Sequence, residues 1–266
     1  MSADHEIDES RAPLIDHLIE LRSRLIRAFL ALGVAFAICL YFARPIFSVL
    51  VQPLVRAGQN KLIYTQMFEA FSVEVKVAFF AAIMVAFPVI ANQLWQFVAP
   101  GLYRKERNAL LPFLYATPIL FLTGAALAYF VAIPMALHFL LSFQGNLGGV
   151  QQEALPTVGN YLTFVMQFMF GFGLAFLMPV LLMLLERAGV VTRTQLVSMR
   201  RYAIVANTAI AAVLAPPDLG SMVLLAVPLV LLYELALIGI WFTERKRSRE
   251  AKSDDSGDGR ALVPRQ

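Results

Sequence analysis

The sequence predicts an all-α, polytopic membrane protein: six transmembrane helices, kinked by proline into a concave bundle, with both termini in the cytoplasm. Three observations carry that expectation. Mean hydropathy is +0.69, with 59% hydrophobic and 15% charged residues over 266 positions, more apolar surface than a water-soluble fold conceals. Six apolar runs approach the ~20 residues that a helix needs to cross the hydrocarbon core. Lysine and arginine are divided 18 against 4 between the two sets of connecting segments.

Residues 1–12 form an N-terminal tail. Asp4, Glu6, Asp8 and Glu9 stand where a secretory signal would be basic, and no small-x-small cleavage site follows, so the first span is expected to be retained. A six-span membrane domain then occupies residues 13–243. Pro13 to Arg27 reads as an amphipathic helix, with Leu14, Leu18, Leu21 and Leu25 at i, i+4, i+7 and i+11. It runs directly into the first span, Ala28 to Ala43, where Cys39 is the single cysteine and is expected to pack as a small apolar residue.

Val77 to Ala99, Tyr161 to Leu185 and Met222 to Phe242 are full spans, and Ala109 to Phe143 spans with residues left over. Tyr202 to Ala215 is short, about 21 Å at ~1.5 Å per residue. Pro88, Pro112, Pro118, Pro134, Pro179 and Pro228 fall inside or at the ends of these runs, and each removes a backbone donor and bends its helix. Beyond Glu244 the chain turns basic and then Ser/Asp/Gly-rich, so residues 244–266 are expected to be a disordered tail. Its Leu262-Val263-Pro264-Arg265 has the composition of a protease recognition site.

The unequal division of positive charge places both termini inside by the positive-inside rule, and leaving out the C-terminal tail still gives 11 against 4. The isoelectric point near 9.3 then reflects topology and contact with anionic membrane lipids, and nucleic acid is not an expected partner. The sequence lacks His-Glu-x-x-His, Gly-x-Ser-x-Gly and phosphate-loop motifs. His5, His17 and His138 are too few and too scattered for a metal cluster. Neither catalysis nor a cofactor or metal is expected.

What remains is a sparse set of carboxylates. Glu20 lies on the polar face of the amphipathic helix, where its spacing to Arg24 suits an ordinary i, i+4 ion pair. Glu106 is the one acid within Leu102-Tyr103-Arg104-Lys105-Glu106-Arg107, either local charge balance or half of a docking pair. Two such carboxylates suit a ligand carrying two adjacent arginines, each held by charge-assisted hydrogen bonds. Glu234 lies inside the last span, as a protonated acid bonding a neighbouring helix or as a functional contact. Asp218, after two prolines, is placed either to cap the last helix or to meet a partner.

These residues carry a resemblance. His17-Leu18-Ile19-Glu20-Leu21-Arg22, Glu69-Ala70-Phe71 with Lys76, Phe97-Val98-Ala99-Pro100-Gly101-Leu102-Tyr103 with Glu106, and Pro216-Pro217-Asp218 occur in this order. In that order they resemble the signatures of the TatC family, the receptor core of the twin-arginine protein translocase, from Pro13 to about Arg245.

The resemblance implies binding of twin-arginine signal peptides and export of folded proteins driven by the proton-motive force across a bacterial inner membrane. It implies that Glu20 and Glu106 receive the paired arginines, with Arg22, Phe97, Tyr103 and Arg104 shaping the same cytoplasmic surface. It also implies TatA-type and TatB-type single-span partners within a larger complex in which this chain forms a homo-oligomer. Glu234, Asp218, Gln167, Val213 and Leu214 are the expected partner or intramembrane contacts. The family often has a polar residue midway along the fourth span, where this chain has Leu177, and Gln167 lies too far away to replace it.

A second class, a small-solute secondary transporter with broken helices, predicts two related halves. The best candidate break for it is Gly171-Phe172-Gly173.

Overall fold

A computed structural model describes residues 3–102, 107–148, 150–187, 189–214 and 219–258. Helix α1 (Ala3–Tyr41) joins the amphipathic segment to the first span without a break, and Phe42 separates it from α2 (Ala43–Arg56). An extended stretch leads to α3 (Glu69–Leu102). Next come α4 (Arg107–Leu127), a π-helical turn (Ala128–Ala132) and α5 (Ile133–Leu141). A small hairpin, β1 (Gly145–Leu147) with β2 (Val150–Gln152), precedes α6 (Val158–Ala175), α7 (Met178–Arg187), α8 (Arg193–Ser198), α9 (Arg200–Leu214) and α10 (Leu219–Asp258).

Among the described residues, five helical stretches are long and apolar enough to cross a membrane: Ile19–Tyr41, Glu69–Gln96, Leu114–Leu141, Val158–Glu186 and Leu225–Thr243. The remaining apolar run forms α9, whose 15 residues reach only about 22 Å at ~1.5 Å each.

Alanine and cysteine explain the tightest helix pair. Ala35, Cys39 and Ala43 recur every fourth residue on one chain segment, and Ala78, Ala82 and Ala86 do so on α3; all six are buried together. Small residues at this spacing let two backbones approach closely in lipid, where no hydrophobic force drives helices together. The single thiol is therefore a packing atom, as the sequence predicts. Leu21 and Leu25, on the apolar face of α1, remain exposed on this chain. Arg24 meets Gln96 at one end of this antiparallel pair, and Arg44 meets Glu74 at the other.

Two of the expected prolines, Pro134 and Pro179, stand at departures from regular helix, while α3, α4 and α10 run on through Pro88, Pro112, Pro118 and Pro228. Pro134 opens α5 directly after the π-helical turn, a widened turn of the kind that absorbs a missing donor inside a span. Pro179 has no N–H to continue α6 and disfavours helical geometry just before it. The fourth span accordingly breaks at Phe176 and Leu177, between α6 and α7. The candidate break at Gly171–Gly173 does not form, because α6 runs through it. There Gly173 serves close packing: a Cβ on it would come within 2.6 Å of the Phe121 ring.

Helix α10 continues to Asp258, through the basic run that composition alone assigns to a disordered tail. Arg, Lys, Glu and Ala propagate a helix well once it has been nucleated upstream.

The core divides by end. Leu54, Val77, Phe121, Leu162, Val165 and Phe168 are among the fully buried residues of the bundle. At the end of the bundle opposite Glu20, the connecting segments are knotted together. Ile63 N–H donates to the Pro156 carbonyl (3.3 Å) and Val158 N–H to that of Ile63 (3.0 Å). Tyr161 donates to the Leu50 carbonyl (2.9 Å) and Tyr129 to that of Val49 (2.7 Å).

Candidate functional site

The close α1–α3 seam carries Glu20, the first of the carboxylates singled out by the sequence. Glu20 sits on α1 with its side chain 39% exposed, while that of Arg24 is 16% exposed. Arg24 donates to Glu20 Oε1 through both Nε (3.1 Å) and NH2. Its remaining arm, NH1, donates to Gln96 Oε1 on α3 at 2.9 Å. Gln96 is in turn held by its own Nε2, which donates to Asn92 Oδ1 at 2.9 Å.

One turn of α3 is pinned to α4 just before this point: the Trp95 indole N–H donates to the Thr117 hydroxyl at 2.8 Å. The Gln93 side-chain oxygen is buried without a hydrogen-bond donor among the described residues. The arrangement is a carboxylate that grips a guanidinium by two donors from one side, braced by a second helix. Such charge-assisted, two-donor geometry suits arginine better than lysine.

Arg22 is exposed two residues from Glu20. Phe97 follows Gln96 within α3, and its side chain lies outside the described residues, as do Tyr103, Arg104 and Glu106 entirely. Asp218 is likewise outside them. Val213 and Leu214 form the last turn of α9, their side chains also outside the described residues.

The last span resolves the environment of Glu234. Its carboxylate pairs with Arg200 at 3.0 Å, with side-chain exposures of 39% and 49% respectively. The neighbouring Tyr233 hydroxyl donates to the Leu196 carbonyl at 2.7 Å. Glu234 thus joins α10 to the start of α9 through its contact with Arg200 within the chain. Gln167 is exposed on α6 instead of turned into the bundle, and Leu177 is half-buried at the α6–α7 break.

Two residues escaped sequence reasoning. Glu69, read there only within a family signature, is buried; one oxygen accepts from Thr65 N–H (2.7 Å), Thr65 Oγ1 (3.2 Å) and Gln66 N–H (3.3 Å). Its other oxygen accepts from Gly159 N–H at 2.8 Å, tying the entry of α3 to the start of α6. The available signal was an acid at the first position of an apolar span, where a carboxylate serves free N–H groups. Asn207, fully buried on α9, donates to the Leu229 carbonyl of α10 at 3.4 Å; a lone amide in an apolar run signalled it.

An apolar recess of about 420 Å³ opens between α4–α5 and α10, lined by Leu127, Val131, Met135, Phe172, Val223 and Val227.

The family described as "Sec-independent protein translocase protein (TatC)" matches residues 16–228. A protein of that name from Magnetococcus marinus is 43% identical over 93% of this chain and 91% of its own length. Its namesake from Escherichia coli K12 is 36% identical over 91% and 93%. A crystal structure of the twin-arginine translocase receptor TatC in DDM aligns with a TM-score of 0.75 at 38% identity, covering 84% of this chain and 98% of the other.

Proposed function

This chain belongs to the TatC family of Sec-independent protein translocase proteins, and from that premise we infer that it is the signal-recognising core subunit of a twin-arginine translocase. It is a membrane receptor in a transport system and not an enzyme. The small-solute transporter loses its footing, since relatives along nearly the whole chain are protein translocases.

Glu20 and Glu106 together receive the two arginines of a signal peptide, on a surface completed by Arg22, Phe97, Tyr103 and Arg104. The observation that carries this reading is Glu20 itself: a partly exposed carboxylate already holding a guanidinium through two donors. The charge distribution supports an orientation with that surface and both termini in the cytoplasm of a bacterial inner membrane. From there the subunit works with TatA-type and TatB-type single-span proteins and further copies of itself, passing folded cargo outward at the expense of the proton-motive force. Gln167, Val213, Leu214 and Asp218 are the proposed contacts for those single-span partners, whereas the internal pairing of Glu234 with Arg200 supports a role in seating α9.

The test is crosslinking of a twin-arginine signal peptide to membranes containing Glu20→Ala, Glu106→Ala or Glu20→Gln at matched expression. All three lose yield, and Glu20→Gln loses nearly as much as Glu20→Ala, because charge rather than shape pairs the guanidinium. Unchanged yields remove the assignment. Wild-type yield for Glu20→Gln alone replaces the ion pair with a neutral hydrogen bond.

A further inference from the structure

We propose that Arg24 is a resident guanidinium that occupies Glu20 before any signal arrives, with Gln96 as its second anchor, and so sets the affinity threshold for incoming cations. This rests on the reading of Glu20 as a signal-docking carboxylate.

The geometry makes docking an exchange. Glu20 Oε1 accepts from Nε and NH2 of Arg24, and NH1 of the same group is held by Gln96, whose amide is fixed by Asn92. All three nitrogens of the guanidinium are engaged, and Arg24 is the less exposed member of the pair. An arriving arginine offers Glu20 the same two donors that Arg24 withdraws, so the count of charge-assisted bonds at this carboxylate is unchanged. Arg24 sits one helical turn away on the same helix and competes at high effective concentration.

The apparent affinity of any cation for Glu20 is therefore reduced by the fraction of time that the carboxylate is open. That reduction applies equally to every ligand. Its consequence is unequal, because a lone arginine or a lysine falls below useful occupancy. A ligand with a second arginine and an apolar segment elsewhere on the receptor stays above it.

The displaced guanidinium also has somewhere to go. It keeps Gln96, and on the same face of α3, three residues earlier, the buried Gln93 oxygen lacks a donor among the described residues. At i, i+3 spacing its Cβ lies about 5–6 Å from that of Gln96.

The experiment titrates the full-length protein in membranes with two synthetic signal peptides, one carrying adjacent arginines and one carrying lysines in their place. Arg24→Gln is expected to bind both about threefold to tenfold more tightly, the range set by a partly exposed ion pair with one additional hydrogen bond. Gln96→Leu, which leaves Glu20 and Arg24 in place, gives a smaller gain in the same direction. In a Glu20→Gln background the gain from Arg24→Gln disappears, since no carboxylate is released.

If Glu20→Gln weakens binding while Arg24→Gln leaves it unchanged or weaker, Arg24 is no competitor and the proposal falls, with the docking role of Glu20 intact. If Glu20→Gln has no effect, that docking role falls and takes the proposal with it. Should Arg24→Gln fail to accumulate, Gln96→Leu decides: binding no tighter than wild type overturns the proposal.

Discussion

Replacing Gly124 with alanine tests the close approach of α4 to α6 most directly. A Cβ at Gly124 would lie 2.5 Å from the Phe172 carbonyl oxygen and 2.9 Å from two atoms of the Phe176 ring, whereas ordinary contact begins at 3.4 Å. The nearest atom is a backbone carbonyl oxygen in the last turn of α6, held by the Phe176 N–H at 3.0 Å, so α4 and α6 must separate by about 0.9 Å, the difference between those two distances.

Overpacking of this kind costs about 1–3 kcal/mol, and a clash with backbone puts Gly124→Ala in the upper half of that range. The better helix propensity of alanine offsets about 1 kcal/mol, leaving a net loss of ~1–2 kcal/mol. At ~2–4 °C per kcal/mol for a chain of this size, the midpoint of thermal unfolding falls by ~2–8 °C. Gly33, with nothing within 4 Å of its would-be Cβ, supplies the opposite sign, and Gly33→Ala gains about 0.5–1 kcal/mol. The assay is loss of the monodisperse peak on size exclusion after heating the detergent-solubilised protein, for both variants side by side. A Gly124→Ala protein as heat-resistant as wild type refutes the close approach on which the α4–α6 seam depends.

Tyr161→Phe removes the donor to the buried Leu50 carbonyl and costs about 1 kcal/mol, read as a lower midpoint in the same assay. Arg200→Ala and Glu234→Ala each lose ~0.5–1 kcal/mol, and because both groups are well exposed their double-mutant cycle gives a coupling of only ~0.5 kcal/mol. A coupling indistinguishable from zero would show that the pair does not seat α9. Glu69→Gln leaves an amide with one acceptor oxygen to serve donors from Thr65, Gln66 and Gly159, so the segments around residues 57–66 and 145–157 become more sensitive to limited proteolysis. An unaltered cleavage pattern counts against the carboxylate as the tie between them.

Local pattern made part of this molecule legible. The amphipathic stretch before the first span, the apolar runs and the helix-bending prolines all follow from periods of a few residues, and α1, α3 and the broken fourth span match them. Composition misled at one place. Glycines at 171 and 173 looked like a break, yet α6 runs through both and Gly173 serves helix contact, because glycine permits a bend without requiring one, whereas Pro179 enforces it by removing a donor. The last helix, α10, extends into the basic run as far as Asp258. The Glu20–Arg24 pair follows from i, i+4 spacing alone; its brace, Gln96, lies 72 residues away and leaves no local trace. The same holds for Glu69 with Gly159 and Glu234 with Arg200, whose partners only the packed bundle brings into reach.

The lone thiol of Cys39, sealed in the alanine seam, has a practical consequence. Maleimide dyes or spin labels placed on cysteines engineered at exposed positions meet no competing native site, so distances between α1 and any other helix can be measured without first altering the wild-type background. A native thiol that did react would report that the first two spans had come apart.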